Sequence, residues 1–286
     1  MVYNRPGNAL VLDNDVSDLV LLLERYAGVV LNHPFEAIRA LIADQAVAHR
    51  LSSGAELINL LRACPVQCDP LLDVLLTSES EFFRFPAAFE AFQSQVLPQM
   101  IARKSKQSPG SLRIWSAGCG TGEEAYSIAL LLCEALNGNG ASWNIHIVAS
   151  DIRRSALTTA ERGLYPLSNL VRVSENLIGA YFSSLDGHFL IKPRVRNLIT
   201  FSAMNLAQDN FFGHFDCVFC MDVLPLFSAG QRRALLRRLC MFLEPGGYLL
   251  LGDEEKISQE SGLERSNPLN CACYYRPLAA GVAVGR

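Results

Sequence analysis

Two hydrophobic periods divide this chain of 286 residues. Up to about Phe92 the apolar positions recur at helical spacing. Val16 to Val29 and Pro34 to Leu51 read as helices, the second with Ile38, Leu41, Ile42 and Ala46 on one face. Ser53 with Glu56 is a capping-box pattern for the next helical run, LINLLRA, and LLDVLLTS follows Pro70. After Pro109 the period changes. LRIWSAG, EEAYSIALLLCEAL, NIHIVAS and RSALTTAERG alternate strand and helix, which predicts a parallel sheet with crossover helices. NGNGAS (137–142) reads as the loop that returns the chain to the second strand. YFSSLDGHFLIKP carries Asp186-Gly187 between two strand-like runs, a hairpin signal, and RNLITFSAMNL continues as another strand. The wound pattern resumes with FDCVFCMDVL, the helix AGQRRALLRRLCMFL, the turn EPGG and the strand YLLLGDEE. Pro245-Gly246-Gly247 is expected to close that last helix, and the tail LAAGVAVGR to fray.

Composition narrows the class. Half of the residues are hydrophobic and 19% are charged, enough apolar material for a full core and too much for disorder. A formal net charge of -3 gives no general pull toward nucleic acid. The start has no basic region followed by a long apolar run, and LVLLLERYAGVVL is broken by Glu24 and Arg25. A cytoplasmic protein with no membrane insertion is expected. The nine cysteines are an odd number, which suggests free thiols in a reducing compartment. Cys217 and Cys220 have C-x-x-C spacing, but residues three apart on a strand point to opposite faces. Cys64 with Cys68, and Cys271 with Cys273, read as small buried hydrophobes, so no metal site is expected.

The stretch with the most chemistry is RIWSAGCGTGEEAYSIALLL, Arg113 to Leu132. Ile114, Trp115 and Ala117 end a buried strand. Gly118, Gly120 and Gly122 make a turn with no side chains in the way, and Ala125, Ile128, Ala129 and Leu132 start the apolar face of a helix. A strand, glycine turn and helix let the backbone lie against a flat polar ligand at the carboxyl edge of a parallel sheet. The spacing G-x-G-x-G departs from the dinucleotide pattern. Glu123 and Glu124 suit the helix dipole but repel a phosphate arriving there. A ligand with hydroxyls and a positive charge fits, and S-adenosylmethionine has both. A tight connection with no ligand is the bland alternative. Asp151, at the tip of the second strand, can accept from both ribose hydroxyls or cap the helix RSALTTAE. Asn205 reads equally as an adenine-edge residue and a turn asparagine. Arg84, beside two aromatics, can pair bidentately with a carboxylate or be a solvated arginine.

Several segments in order resemble the chemotaxis receptor methyltransferases of the CheR type: SESEFFRFPAAFEAFQSQVLP, SAGCGTGEEAYSIA, ASDIRRSALTTAERGLY, YFSSLDGHFLIKPRVRNLITFSAMNL, FDCVFCMDVLPLF and LEPGGYLLLGDEE. The resemblance covers nearly the whole chain. It implies a Rossmann-like α/β methyltransferase sheet with helices on both faces and a small antiparallel β insert. An all-α amino-terminal domain would span residues 1–92, the cofactor-binding domain 93–286 and the insert about 181–204. The implied reaction moves a methyl group from S-adenosylmethionine to glutamate side chains of a receptor or other signalling protein, leaving S-adenosylhomocysteine. By the same resemblance Ser80 and Arg84 match a T-x-F-F-R segment beside the ligand, with serine for threonine. Glu124 matches the glutamate that reaches the methionine amino group, Asp151 the ribose acid, and Asn205 with Leu206 the adenine segment. Gly118 and Gly120 complete the cofactor set. Arg84 is the catalytic candidate, orienting the acceptor or the methionine carboxylate.

The acceptor motif differs. The family reads C-R-N-V-x-x-Y-F where this chain has Cys220 to Phe227, so Met221, Asp222 and Leu226 replace arginine, asparagine and tyrosine. The helix EAIRALIADQAVAHRL offers only Arg39, His49 and Arg50 to an acidic receptor helix. These changes keep a second reading open, a regulatory module in a signalling pathway that binds S-adenosylmethionine or S-adenosylhomocysteine without catalysis. A small-molecule methyltransferase is a third, against which the helical amino-terminal domain argues.

Overall fold

The computed structural model describes residues 9–77, 80–106, 109–136, 143–208, 213–252, 255, 257, 263–266 and 271–277. The expected loop at 137–142, Asp253 and Glu254, and the tail from Leu278 lie outside the described residues. The chain divides into two compact units, Met1–Thr77 with Leu226–Ser228, and Ser78–Pro225 with Ala229–Arg286.

The first unit is helical: α1 (Asp13–Ala27), α2 (Phe35–Ala48), α3 (Gly54–Ala63) and α4 (Asp69–Leu75). Val16, Leu19, Leu23 and Ala27 of α1, Ile38, Ile42 and Ala46 of α2, and Leu57, Ile58 and Leu61 of α3 are buried, one apolar stripe per helix. Gly28 ends α1 in the left-handed region, at φ 75°. Ser53 caps α3 as expected, its Oγ accepting the Glu56 N–H at 3.3 Å. The return bond reaches one residue further back, because the Glu56 carboxylate takes the N–H of Ser52 at 2.8 Å. Leu226 joins this unit through its carbonyl, which accepts the Val30 N–H at 2.7 Å.

In the second unit α5 (Pro86–Ala91) runs through a π turn (Phe92–Val96) into α6 (Leu97–Lys104). Then come β1 (Gly110–Ala117), α7 (Glu123–Leu136), β2 (Trp143–Asp151), α8 (Arg154–Arg162), β3 (Leu164–Pro166), α9 (Glu175–Tyr181), β4 (Phe182–Leu185), β5 (His188–Ile191) and α10 (Pro193–Arg196). They are followed by β6 (Ile199–Ala203), β7 (Phe215–Cys220), α11 (Ala229–Phe242), β8 (Leu243–Leu251), β9 (Glu264–Arg265) and β10 (Ala272–Tyr275). Seven strands form one sheet in the order β6-β2-β1-β7-β8-β10-β9. The first five in that order run parallel, and β10 returns antiparallel along β8. Ile114 of β1 lies between Ile147 of β2 and Cys217 of β7, all fully buried. The helices of this α/β unit cover a sheet whose central strands are apolar on both faces, as buried parallel strands must be. The strand order reverses between β1 and β7, and this crevice at the carboxyl edge is where such sheets hold ligands.

Three features differ from the sequence reading. The units divide at Thr77, whereas the helical periodicity places the boundary near Phe92. The reason is aromatic packing: Phe89 and Phe92 lie 5.8 and 5.0 Å from Phe219, and Phe82 lies 5.1 Å from Tyr165. The antiparallel insert is built from β3, β5 and β4, so it draws on residues 164–166 and ends at Ile191. The strand assigned to its far end, β6, instead pairs with β2 at the edge of the large sheet, Ser202 opposite Ser150. Finally, Pro245-Gly246-Gly247 lies inside β8. Its register shifts between the Phe215–Leu243 and Cys217–Tyr248 pairs, so the stretch is a bulge with Gly246 at φ 75°. The hairpin itself is as read: Asp186 and Gly187 both have positive φ, 48° and 76°, as a two-residue type I′ turn requires. No helix of the described residues is long and apolar enough to cross a membrane.

Candidate functional site

The glycine turn after β1 holds Gly118, Gly120 and Gly122 at φ 85°, 55° and 97°. The Gly118 and Cys119 N–H groups donate to the Ser150 carbonyl at 2.8 and 2.9 Å, tying the turn to β2. Two of the glycines are demanded by packing. A Cβ on Gly118 would stand 2.4 Å from Val223 Cγ2, and one on Gly122 would stand 2.7 Å from Ala160 Cβ. Gly120 differs, since only Arg153 Nη2, at 3.3 Å, lies near its missing Cβ. The turn is therefore closed by Val223 at Gly118 and by Ala160 at Gly122, and at Gly120 it meets only the end of one flexible side chain.

Carboxylates stand beside this turn. Asp151, almost buried at the tip of β2, accepts the Gly120 N–H on Oδ2 at 2.8 Å and the Arg153 N–H on Oδ1 at 2.8 Å. Arg153 is the residue that precedes α8, and no side chain caps that helix. Asp151 thus makes a local turn rather than a helix cap, which removes the helix-cap reading. Glu124, on the first turn of α7, accepts the Ser116 hydroxyl at 2.6 Å. Burial pushes its carboxyl up to about 7, against the Ser116 hydrogen bond and Arg84, with Glu255 and Asp222 adding to the rise.

Glu123, the other acid at the start of α7, has different surroundings. It is buried and accepts from Ser80 Oγ at 2.7 Å, Thr121 Oγ1 at 2.6 Å and Asn169 Nδ2 at 2.7 Å. Ser80 thus gives its hydroxyl hydrogen to Glu123, and Asn169 also reaches the Ser80 carbonyl at 3.3 Å. Neither Glu123 nor Asn169 carried a sequence signal as a hub; the paired acids at the helix start were the only hint.

Asn205 and Leu206 follow β6. Asn205 Oδ1 accepts the Ala207 N–H at 2.9 Å, a turn bond. The segment is anchored at both sides. The Met204 N–H donates to the Asp151 carbonyl at 2.9 Å, and Arg238 of α11 donates to the Leu206 and Ala207 carbonyls at 2.9 and 3.0 Å. The turn reading is therefore met, and the turn stands beside the tip of β2.

Arg84 and Asp222 meet: Nη2 donates to Oδ2 at 2.7 Å, and the guanidinium lies 5.0 Å over the Phe85 ring. Asp222 sits in the loop after β7 at φ 59°, where a short polar side chain is tolerated. Glu255, buried and missed by the sequence reading, holds this loop to the end of β8. It accepts the Leu224 N–H at 2.9 Å and the Gly252 N–H at 2.6 Å. Burial raises its carboxyl, opposed by these bonds. Met221 is buried in the core cluster, so its side chain faces inward while Asp222 is exposed. Leu226 groups with the helical unit. Among the described residues no group of three or more His, Cys, Asp or Glu is placed to hold a metal, and the nine cysteines are free thiols.

The residues around this turn fit S-adenosylmethionine in their donor set. Gly120 has only the movable end of Arg153 over its backbone, Asp151 keeps lone pairs for hydroxyls, and Glu124 offers a desolvated carboxylate to an ammonium. The sequence matches agree. The description "CheR methyltransferase, SAM binding domain" fits residues 78–272, beginning where the second unit begins. The chain is 28% identical to a chemotaxis protein methyltransferase of Borreliella burgdorferi, covering 91% of this chain and 94% of that one. It is 36% identical to a probable chemotaxis protein methyltransferase of Rhizobium etli, covering 82% and 90%. A chemotaxis protein methyltransferase 1 of Pseudomonas aeruginosa is 37% identical, covering 66% and 69%. Among solved structures the CcbJ methyltransferase of Streptomyces caelestis is similar at a TM-score of 0.35 and 15% identity, over 58% of this chain and 52% of that one. That likeness is too low to bear on the assignment, which rests on the sequence matches. With the glycine turn, the carboxylates and these matches together, the chain belongs to the CheR family of S-adenosylmethionine-dependent methyltransferases.

Proposed function

We propose that this methyltransferase esterifies a glutamate carboxylate on a receptor or other signalling protein in the cytoplasm. The observation that carries the reading is Arg84. Its guanidinium is half-buried and already holds a carboxylate, that of Asp222 after β7, at 2.7 Å. The names of the relatives, chemotaxis protein methyltransferases, supply the class of acceptor.

In this reading Gly118, Gly120 and Asp151 receive the ribose, Asn205 and Leu206 the adenine, Glu124 the methionine ammonium, and Arg84 the carboxylate of the acceptor or of the methionine end, with Ser80 beside the ligand and its hydroxyl hydrogen given to Glu123. S-adenosylmethionine supplies an electrophilic methyl on sulfonium sulfur. A glutamate acceptor is already an anion near neutral pH, so no side chain has to act as general base. The work left to the protein is to align the acceptor oxygen and to exclude water. Arg84 orients, and the apolar loop residues Val223 and Leu224, both buried, keep the floor of the site dry.

Radiolabelled S-adenosylmethionine and cytoplasmic receptor fragments test this. Base-labile label on glutamate supports the reading. Tight cofactor binding with no transfer replaces it with that of a regulatory module.

A further inference from the structure

Asp222 stands where the family motif has asparagine, and its surroundings give it a role. Its Oδ2 accepts from Arg84 Nη2 at 2.7 Å. The two side chains are 43% and 37% exposed, so the pair lies at the mouth of the site and not in its floor. The loop that presents Asp222 is held from behind. Glu255 clamps Leu224 and Gly252, and a Cβ on Gly252 would come within 2.7 Å of Asp222 Oδ1. The carboxylate is therefore delivered to the guanidinium by fixed backbone, not by a free side chain.

We propose that Asp222 is an internal occupant of the carboxylate place on Arg84, so that an incoming carboxylate binds only by displacing it. The inference rests on reading Arg84 as the carboxylate-holding group of the site. Two ligands bring that chemistry, the methionine end of the cofactor and the acceptor glutamate. Displacement has a cost. Once parted from Arg84, Asp222 faces Glu124 and Glu255, both of which interact with it unfavourably as like charges. Asparagine keeps the shape and tolerates left-handed backbone, but it does not compete as an anion. Asp222 is thus a specificity-determining residue that weakens carboxylate ligands at this site.

The test is Asp222→Asn, Arg84→Gln and the double variant, with binding followed by calorimetry. One arm titrates S-adenosylmethionine and its decarboxylated form, which keeps the ammonium. The other titrates a receptor fragment into protein loaded with S-adenosylhomocysteine, so that no turnover is needed. If the methionine carboxylate displaces Asp222, Asp222→Asn tightens S-adenosylmethionine about two- to fivefold and leaves the decarboxylated form unchanged. If the acceptor does so, the gain appears with the fragment alone. In either case it disappears in the Arg84→Gln background. The proposal is overturned if Asp222→Asn tightens neither ligand, or if the gain persists without Arg84. A fragment that fails to bind the unaltered protein counts against the glutamate reading alone, and the cofactor arm still decides the role of Asp222.

Discussion

The Gly120 N–H donates to Asp151 Oδ2 at 2.8 Å, so the tip of β2 fixes the backbone of the glycine turn. The other oxygen takes the Arg153 N–H. One carboxylate therefore shapes the turn and, in the proposed function, also receives ribose hydroxyls. Asp151→Ala orphans two backbone donors and removes the ribose partner together. Cofactor affinity should fall on the order of tenfold to a hundredfold, and the ligand-free protein should lose about 1–3 kcal/mol. Calorimetry and denaturant melts read these separately. Lost stability with unchanged affinity would remove Asp151 from the cofactor site and leave it a turn residue.

Glu123 makes a second, purely architectural prediction. Its buried carboxylate accepts from three side-chain donors, Ser80, Thr121 and Asn169, that come from three different segments. Glu123→Gln turns an amide N–H₂ toward one of them and should cost about 1–3 kcal/mol in urea unfolding. Asn169→Ala removes a single donor and should cost less. Equal losses from both would mean that the network does not converge on Glu123.

Glu124 gives the site a pH dependence near neutrality. Its carboxyl sits at about 7 in the folded chain against 4.5 ordinarily, chiefly through burial. Between these values the folded state holds a proton that the unfolded state has released. The contribution to stability is therefore full below about 4.5 and is lost as pH rises through about 7. Cofactor binding has the opposite sign, because an ammonium favours the carboxylate; affinity should weaken as pH falls below about 7. Glu124→Gln should flatten both trends. A melting temperature and a dissociation constant measured from pH 5.5 to 8 on both proteins check this.

Local chemistry was legible in the sequence and tertiary partnership was not. The helical stripes, the Asp186-Gly187 hairpin and the glycine turn each depend on residues close in the chain, and each is present. The placement of β6 depends on which strand it meets, and its own residues say nothing about β2. Glu123 and Glu124 read alike because they are neighbours at one helix start. They differ because Ser80 and Asn169, 43 and 46 positions away, come to one and not the other. The same limit applies after β7. Met221, Asp222 and Leu226 read as three changes in one acceptor motif, but Met221 is buried in the core while Asp222 is exposed beside Arg84.

That distinction decides how the family motif should be restored. Met221 is buried in the hydrophobic core. Met221→Arg brings a guanidinium into that core, which should cost about 3 kcal/mol or more and add nothing at the mouth. Asp222→Asn keeps the loop and relieves the carboxylate competition. The single Asp222→Asn variant should therefore match or exceed the glutamate methylation of the triple variant Met221→Arg, Asp222→Asn, Leu226→Tyr, and only the triple should melt at lower temperature. Initial rates on one receptor fragment, set beside thermal melts, decide the matter. A triple variant that is faster and no less stable would place the side chain at 221 in the reaction site, contrary to its packing here.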